Sequence, residues 1–199
     1  MRTYTITKIS GTPDWSQIPS LDVDNYQWGE KLDIQMKSQI CYDETGLYIH
    51  LRAWEKDIRA EYTAPLSMVC EDSCMEFFFR PVAEELRYFN LEINPNGQMY
   101  IGFGDGNTLM RLAPEDEDVY LQKKWNYTEG GWEVFYKFPV SMIQLFYPGY
   151  ELRSGMTIYA NSYKCGDMTV KPHFISWNFV DVPEPSFHQP AHFGQMTLE

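Results

Sequence analysis

The feature that most restricts the fold is a two-residue alternation of apolar and polar side chains along short segments. In residues 46–53, Leu47, Ile49 and Leu51 are each followed by a more polar side chain. A β-strand sends successive side chains to opposite faces, so a period of two places these apolar groups on one face, whereas a helix requires a period near 3.6. The segment is therefore predicted to be a strand with one buried face.

Similar segments recur along the chain and are separated by turn residues. Strands are predicted over residues 73–80, 87–93, 98–103, 119–127, 132–138, 156–164 and 193–198. The sequences Asn94-Pro95-Asn96-Gly97 and Thr128-Glu129-Gly130-Gly131 predict hairpins between neighbouring strands. One short helix is predicted over 139–146, between Pro139 and Pro148. Many short strands with little helix predict an all-β sandwich or barrel.

No linker or internal repeat divides the chain, and 199 residues are enough to bury a core without disulfide or metal support. Residues 1–199 are therefore predicted to form a single domain. The segment 171–192 is rich in proline and aromatic residues. Its apolar character predicts that it packs against the rest of the protein rather than serving as a tether.

Acidic residues outnumber basic ones by 28 to 16, which gives a net charge of −12. This charge disfavours binding to nucleic acid and to anionic membrane surfaces. No segment has the roughly 18 apolar residues of a membrane span, and the first residues lack the apolar stretch of a signal peptide. As written, the sequence predicts a cytoplasmic protein. A secreted protein whose signal had been removed would have the same sequence, so that alternative stays open.

The four cysteines do not follow the paired spacing of a zinc site. They are Cys41, Cys70, Cys74 and Cys165. We interpret them as free buried thiols of a reducing compartment, with one or two disulfides as the alternative for a secreted chain.

Other metal motifs are weak. His188 and His192 have a spacing that can bind zinc from a helix, but the prolines around them exclude a helix. Both are interpreted as structural loop residues. Loop carboxylates at Asp105, Asp116 and Asp118 leave calcium open as a cofactor.

Paired carboxylates offer one enzymatic hypothesis. Glu76 and Glu92 lie on the polar faces of two predicted strands, and carboxyl groups about 5–10 Å apart suit glycoside hydrolysis. A chain of this length leaves little room for a deep cleft, however, and polar sheet faces commonly carry carboxylates. The protein is therefore predicted not to be an enzyme, with weak glycosidase activity through this pair as an alternative.

The aromatic content of 16% fits sugar binding better. Tyrosine and tryptophan combine an apolar ring with a polar tip, and charged or amide side chains can bind sugar hydroxyls. Trp54 and Trp177 are predicted to stack on a sugar ring. The predicted polar floor consists of Glu76, Arg80, Tyr88, Asn90 and Glu92.

Several motifs, taken in order, resemble a known family. They are Asp72-Ser73-Cys74-Met75-Glu76-Phe77-Phe78, Tyr88-Phe89-Asn90-Leu91-Glu92-Ile93-Asn94, Tyr163-Lys164-Cys165-Gly166-Asp167, Pro172-His173-Phe174-Ile175-Ser176-Trp177 and Phe187-His188-Gln189-Pro190. From about Tyr42 to the C-terminus, their order and spacing are similar to those of the family 9-like carbohydrate-binding modules. These modules belong to the DOMON-like group of sandwiches. The resemblance implies an all-β, antiparallel, DOMON-like or jelly-roll-like β-sandwich with little helix.

The resemblance also implies a sugar site flanked by aromatic rings and, in some members, bound calcium. The leading hypothesis is a carbohydrate-binding domain without catalysis, either solitary or acting beside a glycan-degrading enzyme. The resemblance implies a sugar clamped between two rings, of which Trp177 would be one. Glu76 would be a polar partner of that ring. The residues themselves add further predicted ligand contacts, which are Glu92, Asn90, Lys164, Tyr88, Trp54, Arg80 and Asn161. Where the family often has an aromatic residue before the Asp-Ser-Cys-x-Glu motif, this chain has Cys70. Either the second ring is missing, or Trp54 or Tyr62 replaces it.

Two further alternatives remain. DOMON relatives that hold haem would need a methionine and a histidine as axial ligands, and ten methionines and four histidines are present. The substitution at Cys70 also leaves open a protein-interaction domain that has lost sugar binding.

Overall fold

Two β-sheets share one strand, and this strand joins the beginning of the chain to its end. The structure is a computed structural model that describes residues 1–199. Its strands are β1 (Thr3–Lys8), β2 (Ser20–Val23), β3 (Asn25–Trp28), β4 (Gln35–Asp43), β5 (Gly46–Trp54), β6 (Cys74–Arg80), β7 (Tyr88–Ile93), β8 (Met99–Gly104), β9 (Leu109–Leu112), β10 (Lys124–Thr128), β11 (Gly131–Pro139), β12 (Thr157–Cys165), β13 (Phe174–Ser176) and β14 (Gly194–Leu198). The helices are α1 (Glu117–Tyr120) and α2 (Val140–Gln144).

We call the two sheets A and B. Sheet A has the order β1-β14-β12-β6-β7-β8-β9, with β13 and β3 continuing beside β12. Sheet B has the order β1-β4-β5-β11-β10, with β2 beside β4. The first four residues of β1 pair with β14 and its last two residues pair with β4. The prediction of an all-β sandwich with little helix is confirmed. Both pairings of β1 are parallel, so the sheets are not purely antiparallel.

The predicted hairpins are present and follow from their turn residues. Between β7 and β8, the N–H of Gly97 donates to the carbonyl of Asn94 at 3.0 Å. Gly97 has a φ of +76°, which disfavours any residue with a Cβ. The turn between β10 and β11 likewise contains Gly130 with a positive φ.

The strand predicted over 119–127 is wrong in its first half. Residues Glu117–Tyr120 form α1, and β10 begins only at Lys124. The Lys123 ammonium is buried and binds the carboxylates of Glu117 and Asp118 at 2.5 and 2.8 Å. These contacts close a local turn, so the alternating residues before Lys124 do not extend into the sheet. Neither helix has the length and apolar character needed to cross a membrane.

The main core lies between the two sheets. Leu47, Ile49 and Leu51 of β5 face Phe77 and Leu91 of sheet A, and none of these side chains is exposed. The period of two in the sequence therefore identified the inner faces correctly.

The outer face of sheet A is buried as well, by a second apolar cluster. Phe78 of β6 and Tyr163 of β12 pack beneath Phe187 and Val180 of the segment 178–193. This agrees with the prediction that the segment 171–192 packs against the rest of the protein. The polar side of β7 is thus a covered floor rather than an open sheet face, and the candidate site lies beneath this cover.

Candidate functional site

A cavity of about 220 Å³ lies between the outer face of sheet A and the segment that covers it. The side chains around it come from β6, β7, β12 and three loops. They are Cys70, Glu76, Glu92, Cys165, Asp167, Phe174, Pro185, Ser186, Phe187 and His188.

The floor of the cavity carries two adjacent carboxyl groups. Glu76 and Glu92 are directly opposite each other on antiparallel strands β6 and β7, which places their Cβ atoms about 4.5–5.5 Å apart. Burial first, and the neighbouring Glu92 second, raise the pKa of Glu76 well above its ordinary value. Burial raises the pKa of Glu92 to about 7. In this buried pair the protonated form of each carboxyl group is therefore favoured relative to a carboxyl group in water.

Asn90 orients one of these groups. Its Nδ2 donates to Oε1 of Glu92 at 2.8 Å, while its Oδ1 has no hydrogen-bond partner in the protein. The cross-strand neighbour of Asn90 is Gly102. A Cβ at that position would lie 2.0 Å from Oδ1 of Asn90, so only glycine leaves room for this amide.

Contacts with tyrosines of the sheet hold the walls of the cavity in place. Nδ1 of His188 lies 2.6 Å from the hydroxyl of Tyr88, and burial lowers the pKa of His188. The ring of Phe187 stacks on that of Tyr163 with centroids 4.1 Å apart. The Tyr163 hydroxyl donates to the carbonyl of Phe187 at 3.1 Å. The wall therefore presents a neutral imidazole and apolar ring surface.

The rim is formed by Asp167, Phe174 and the half-buried Cys70. Together with Glu76 and Glu92, Asp167 gives the cavity an acidic lining. An anionic ligand would be repelled there, whereas hydroxyl groups can donate to the carboxylates. Half-buried Phe174 supplies a ring that is partly open to solvent.

Trp177 does not belong to this cavity, and its predicted stacking role is corrected. Its side chain is only 3% exposed and packs in the main core between the sheets. A Cβ on Gly194 would lie 2.4 Å from the Trp177 ring, which shows how closely the backbone covers it. A sugar cannot reach this ring without opening the core. Phe174, three residues earlier in the chain, lies at the cavity instead.

Lys164 is also directed elsewhere. It pairs with Met75 of β6 and so faces the main core, opposite to its neighbour Cys165. Its Nζ lies 3.2 Å from Oε2 of Glu55 and 3.0 Å from Nε2 of His173, with no exposure to solvent. Its predicted contact with sugar is therefore corrected to an internal ion pair.

Three more predicted contacts are engaged outside the cavity. Trp54 lies on sheet B, where the Arg52 guanidinium stacks 4.6 Å from its ring centroid. Arg80 donates to backbone carbonyls, including that of Glu85 at 2.5 Å. Asn161 is buried and donates to the carbonyl of Asn178 at 2.9 Å. None of the three lines the cavity.

Of the predicted residues, Glu76 and Glu92 line the cavity, and Asn90 and Tyr88 support it from beneath. Phe174, Phe187 and Asp167 were not among the ligand contacts predicted from the sequence, and His188 was interpreted there as a structural loop residue. All four occur in the motifs that carried the family resemblance. Their position relative to the sheet depends on loops with no periodic pattern, and therefore only the motifs could have indicated them.

A larger groove of about 620 Å³ lies on the outer face of sheet B. Trp15 and Phe135 are half-buried there, and Lys124 and Lys137 line its walls. The smaller cavity is the candidate site because two buried carboxyl groups meet in its floor, and because specific sites place few polar groups in a concave surface.

The aspartates considered for calcium are not brought together as a site. Asp105 accepts two backbone N–H groups in its own turn, at 3.0 Å each, and Asp118 is paired with Lys123. These residues do not fit calcium coordination. The cavity lining contains one histidine and no methionine, so it does not supply the ligand pair of the haem hypothesis.

Comparisons with known proteins agree with this architecture. The sequence model of the family described as carbohydrate-binding family 9 matches residues 12–198. A Bacteroides uniformis protein whose suggested role is carbohydrate binding has a similar crystal structure, with 26% identity, a TM-score of 0.85, and coverage of 100% of this chain and 99% of that one. No curated protein sequence matches significantly.

A family 9 carbohydrate-binding module from Caldicellulosiruptor kristjanssonii is similar in fold. Its complex with cellotriose has a TM-score of 0.68 and covers 100% of this chain and 94% of that one, at 12% identity. Its complex with glucose has a TM-score of 0.66 and covers 100% and 96%, also at 12% identity.

Proposed function

Since this chain belongs to carbohydrate-binding family 9, we propose that it binds a neutral sugar in the cavity floored by Glu76 and Glu92, without catalysing a reaction. Residues 1–199 would act as one sugar-binding unit beside a glycan-degrading enzyme. The observation that carries the proposal is that two buried carboxyl groups and aromatic ring surface line the same cavity in this family's fold.

The lining matches the chemistry of a pyranose. Sugar hydroxyls can donate to Glu92 and Asp167, and a protonated Glu76 can donate in return. The rings of Phe174 and Phe187 provide apolar surface for sugar C–H groups. Because the lining is acidic, we expect neutral sugars to bind in preference to uronic acids.

The size of the cavity limits the ligand. Pockets for drug-sized ligands are about 300–1,000 Å³, whereas this cavity is about 220 Å³. One sugar ring is therefore the expected occupant, either a monosaccharide or the end of a chain. The Caldicellulosiruptor module bound to glucose and cellotriose makes glucose and β-glucan fragments the first ligands to test.

Hydrolysis is the rival function, because Glu76 and Glu92 are cross-strand neighbours in the floor of the cavity. A retaining mechanism needs one carboxylate ionised as the nucleophile and one protonated as the acid. Here burial raises the pKa of both groups, which disfavours the ionised nucleophile. We expect no release from chromogenic glycosides. Activity that disappears in Glu76→Gln would establish the protein as an enzyme.

Calorimetric titration with glucose, cellotriose and glucuronic acid tests the proposal. We expect similar affinities for glucose and cellotriose, because only one ring is enclosed, and no binding of glucuronic acid. Phe174→Ala should weaken binding by about tenfold, equal to about 1.4 kcal/mol. Glu92→Gln should weaken it by roughly 10- to 100-fold through loss of a charge-assisted hydrogen bond.

Phe135→Ala is the matched control, since this half-buried ring lies on the outer face of sheet B. It should leave affinity unchanged. If Phe135→Ala abolished binding while Phe174→Ala did not, the sugar site would belong to the larger groove. A preference of more than 100-fold for cellotriose would show that the site extends beyond one ring.

A further inference from the structure

Two thiols and a carboxyl group converge beneath the cavity. Cys74 and Glu76 are separated by one residue on β6 and so share a face of the sheet. Cys165 of β12 is directly opposite Cys74. The two sulfur atoms and a carboxylate oxygen all lie within 4.8 Å of one another. Strand register alone thus brings three metal-binding groups to one point.

The cluster is buried, and its carboxyl group forms no ion pair. Cys74, Cys165 and Glu76 are at most 2% exposed. The Cys165 thiol donates to Oε1 of Glu76 at 2.9 Å, but no lysine or arginine forms an ion pair with this carboxyl group, and the ammonium of Lys164 is engaged by Glu55. In a buried cluster, the ionised form of such a carboxyl group is costly unless a cation is paired with it. A positive ion between the three groups would remove that cost.

The donor atoms select the kind of ion. Calcium and magnesium prefer sites made only of oxygen ligands, whereas thiolates select softer ions. Zinc commonly binds cysteine sulfur at about 2.3 Å and carboxylate oxygen at about 2.0–2.2 Å in a tetrahedron. These bond lengths place ligand atoms about 3.5 Å apart, which the present cluster can reach by small side-chain movements.

We propose that Cys74, Cys165 and Glu76 form a binding site for zinc or a similar thiophilic divalent ion at the floor of the cavity. Both thiols bind as thiolates, and their protons pass to solvent. Cys70 lines the same cavity but lies outside the cluster. Because Glu76 and Cys165 line the cavity, the fourth coordination position would open toward it. The proposed ion does not depend on sugar binding.

Cobalt titration of the reduced, metal-free protein tests the site, with Co²⁺ as the probe. We expect one ion per chain, a thiolate-to-cobalt charge-transfer band, and loss of the band when Zn²⁺ is added. Cys74→Ser and Cys165→Ser should each reduce the band strongly. Cys41→Ser is the matched control, because Cys41 is an equally buried free thiol on β4, and it should leave the band unchanged.

X-ray absorption spectroscopy of the zinc-loaded protein tests the proposed ligands without any substitution. We expect two sulfur neighbours at about 2.3 Å and oxygen neighbours in the remaining positions. The absence of sulfur neighbours, or a cobalt band that survives both serine variants, would overturn the proposal. So would a Cys74–Cys165 disulfide in protein isolated with zinc present.

Sugar binding and metal binding can fail separately. Phe174→Ala should weaken sugar binding and keep the cobalt band, since phenylalanine supplies no metal ligand. Loss of the band in Cys74→Ser, with the glucose affinity retained, would support the metal site even if the sugar contacts lay elsewhere.

Discussion

Replacing Lys164 with methionine should destabilise the protein without removing its sugar affinity. The Lys164 ammonium is buried and has three polar partners. It lies 2.9 Å from the carbonyl of Cys165, 3.0 Å from His173 and 3.2 Å from Glu55. Lys164→Met keeps the apolar stem but leaves the Glu55 carboxylate buried without its cation.

The expected loss of unfolding free energy depends on the hydrogen bonds that Glu55 retains. Breaking a buried ion pair typically costs about 3–5 kcal/mol. Glu55 keeps hydrogen bonds from Trp132 Nε1 at 2.8 Å and from the Ser73 hydroxyl at 3.0 Å, so we expect the lower end, about 3 kcal/mol. With a urea m-value of about 2 kcal/mol/M, the midpoint should fall by about 1.5 M. The double variant Glu55→Gln/Lys164→Met should recover much of this loss, because glutamine keeps the acceptor for Trp132 and carries no charge.

Urea unfolding, followed by tryptophan fluorescence, measures the stability, and calorimetry with glucose measures binding under folded conditions. A second readout is His173, whose pKa is lowered to about 4 by burial first and by Lys164 second. Removing the ammonium should raise this pKa. The reasoning is refuted if Lys164→Met changes stability by less than about 0.5 kcal/mol and abolishes sugar binding, because Lys164 would then be a ligand contact.

Three further substitutions test other parts of the structure. Trp177→Ala should cost about 3–5 kcal/mol in urea unfolding, as large-to-small core changes do; full stability with lost sugar affinity would restore its stacking role. Gly102→Ala should displace the amide of Asn90 and weaken glucose binding, and an unchanged calorimetric affinity would contradict this. Asp72→Ala should lower the thermal midpoint strongly. The buried Asp72 carboxylate accepts hydrogen bonds from Arg59 and from the backbone N–H groups of Glu61 and Tyr62. A midpoint within a degree of that of the natural sequence would show that these bonds are dispensable.

The strands that the sequence predicted well are those with one apolar and one polar face. Segments β5, β7 and β11 alternate regularly because their inner faces pack in the main core. Strands β1 to β4, together with β9 and β13, were not predicted. Most of them are short, and their pairing depends on distant partners rather than on local pattern. The parallel pairings of β1 could not be read from the sequence, because no turn specifies them.

The floor of the site was predictable, whereas the walls were not. Glu76 and Glu92 follow from the period of two and from neighbouring strands. The same period could have excluded Lys164, since Tyr163 pairs with Glu76 and its neighbour must face the other way. The position of Phe174 depends on a short strand and on the cover above it. Trp177 was misplaced because family resemblance indicates a motif but not which ring of that motif faces the ligand.

The placement of β14 has a consequence for how the protein forms during synthesis. β14 lies between β1 and β12, and every other strand precedes it in the chain. Until it has left the ribosome, β1 and the adjoining half of β12 have unpaired edges, which are prone to associate with other chains. Assembly of sheet A is therefore a late, long-range event, and we expect it to limit the folding rate.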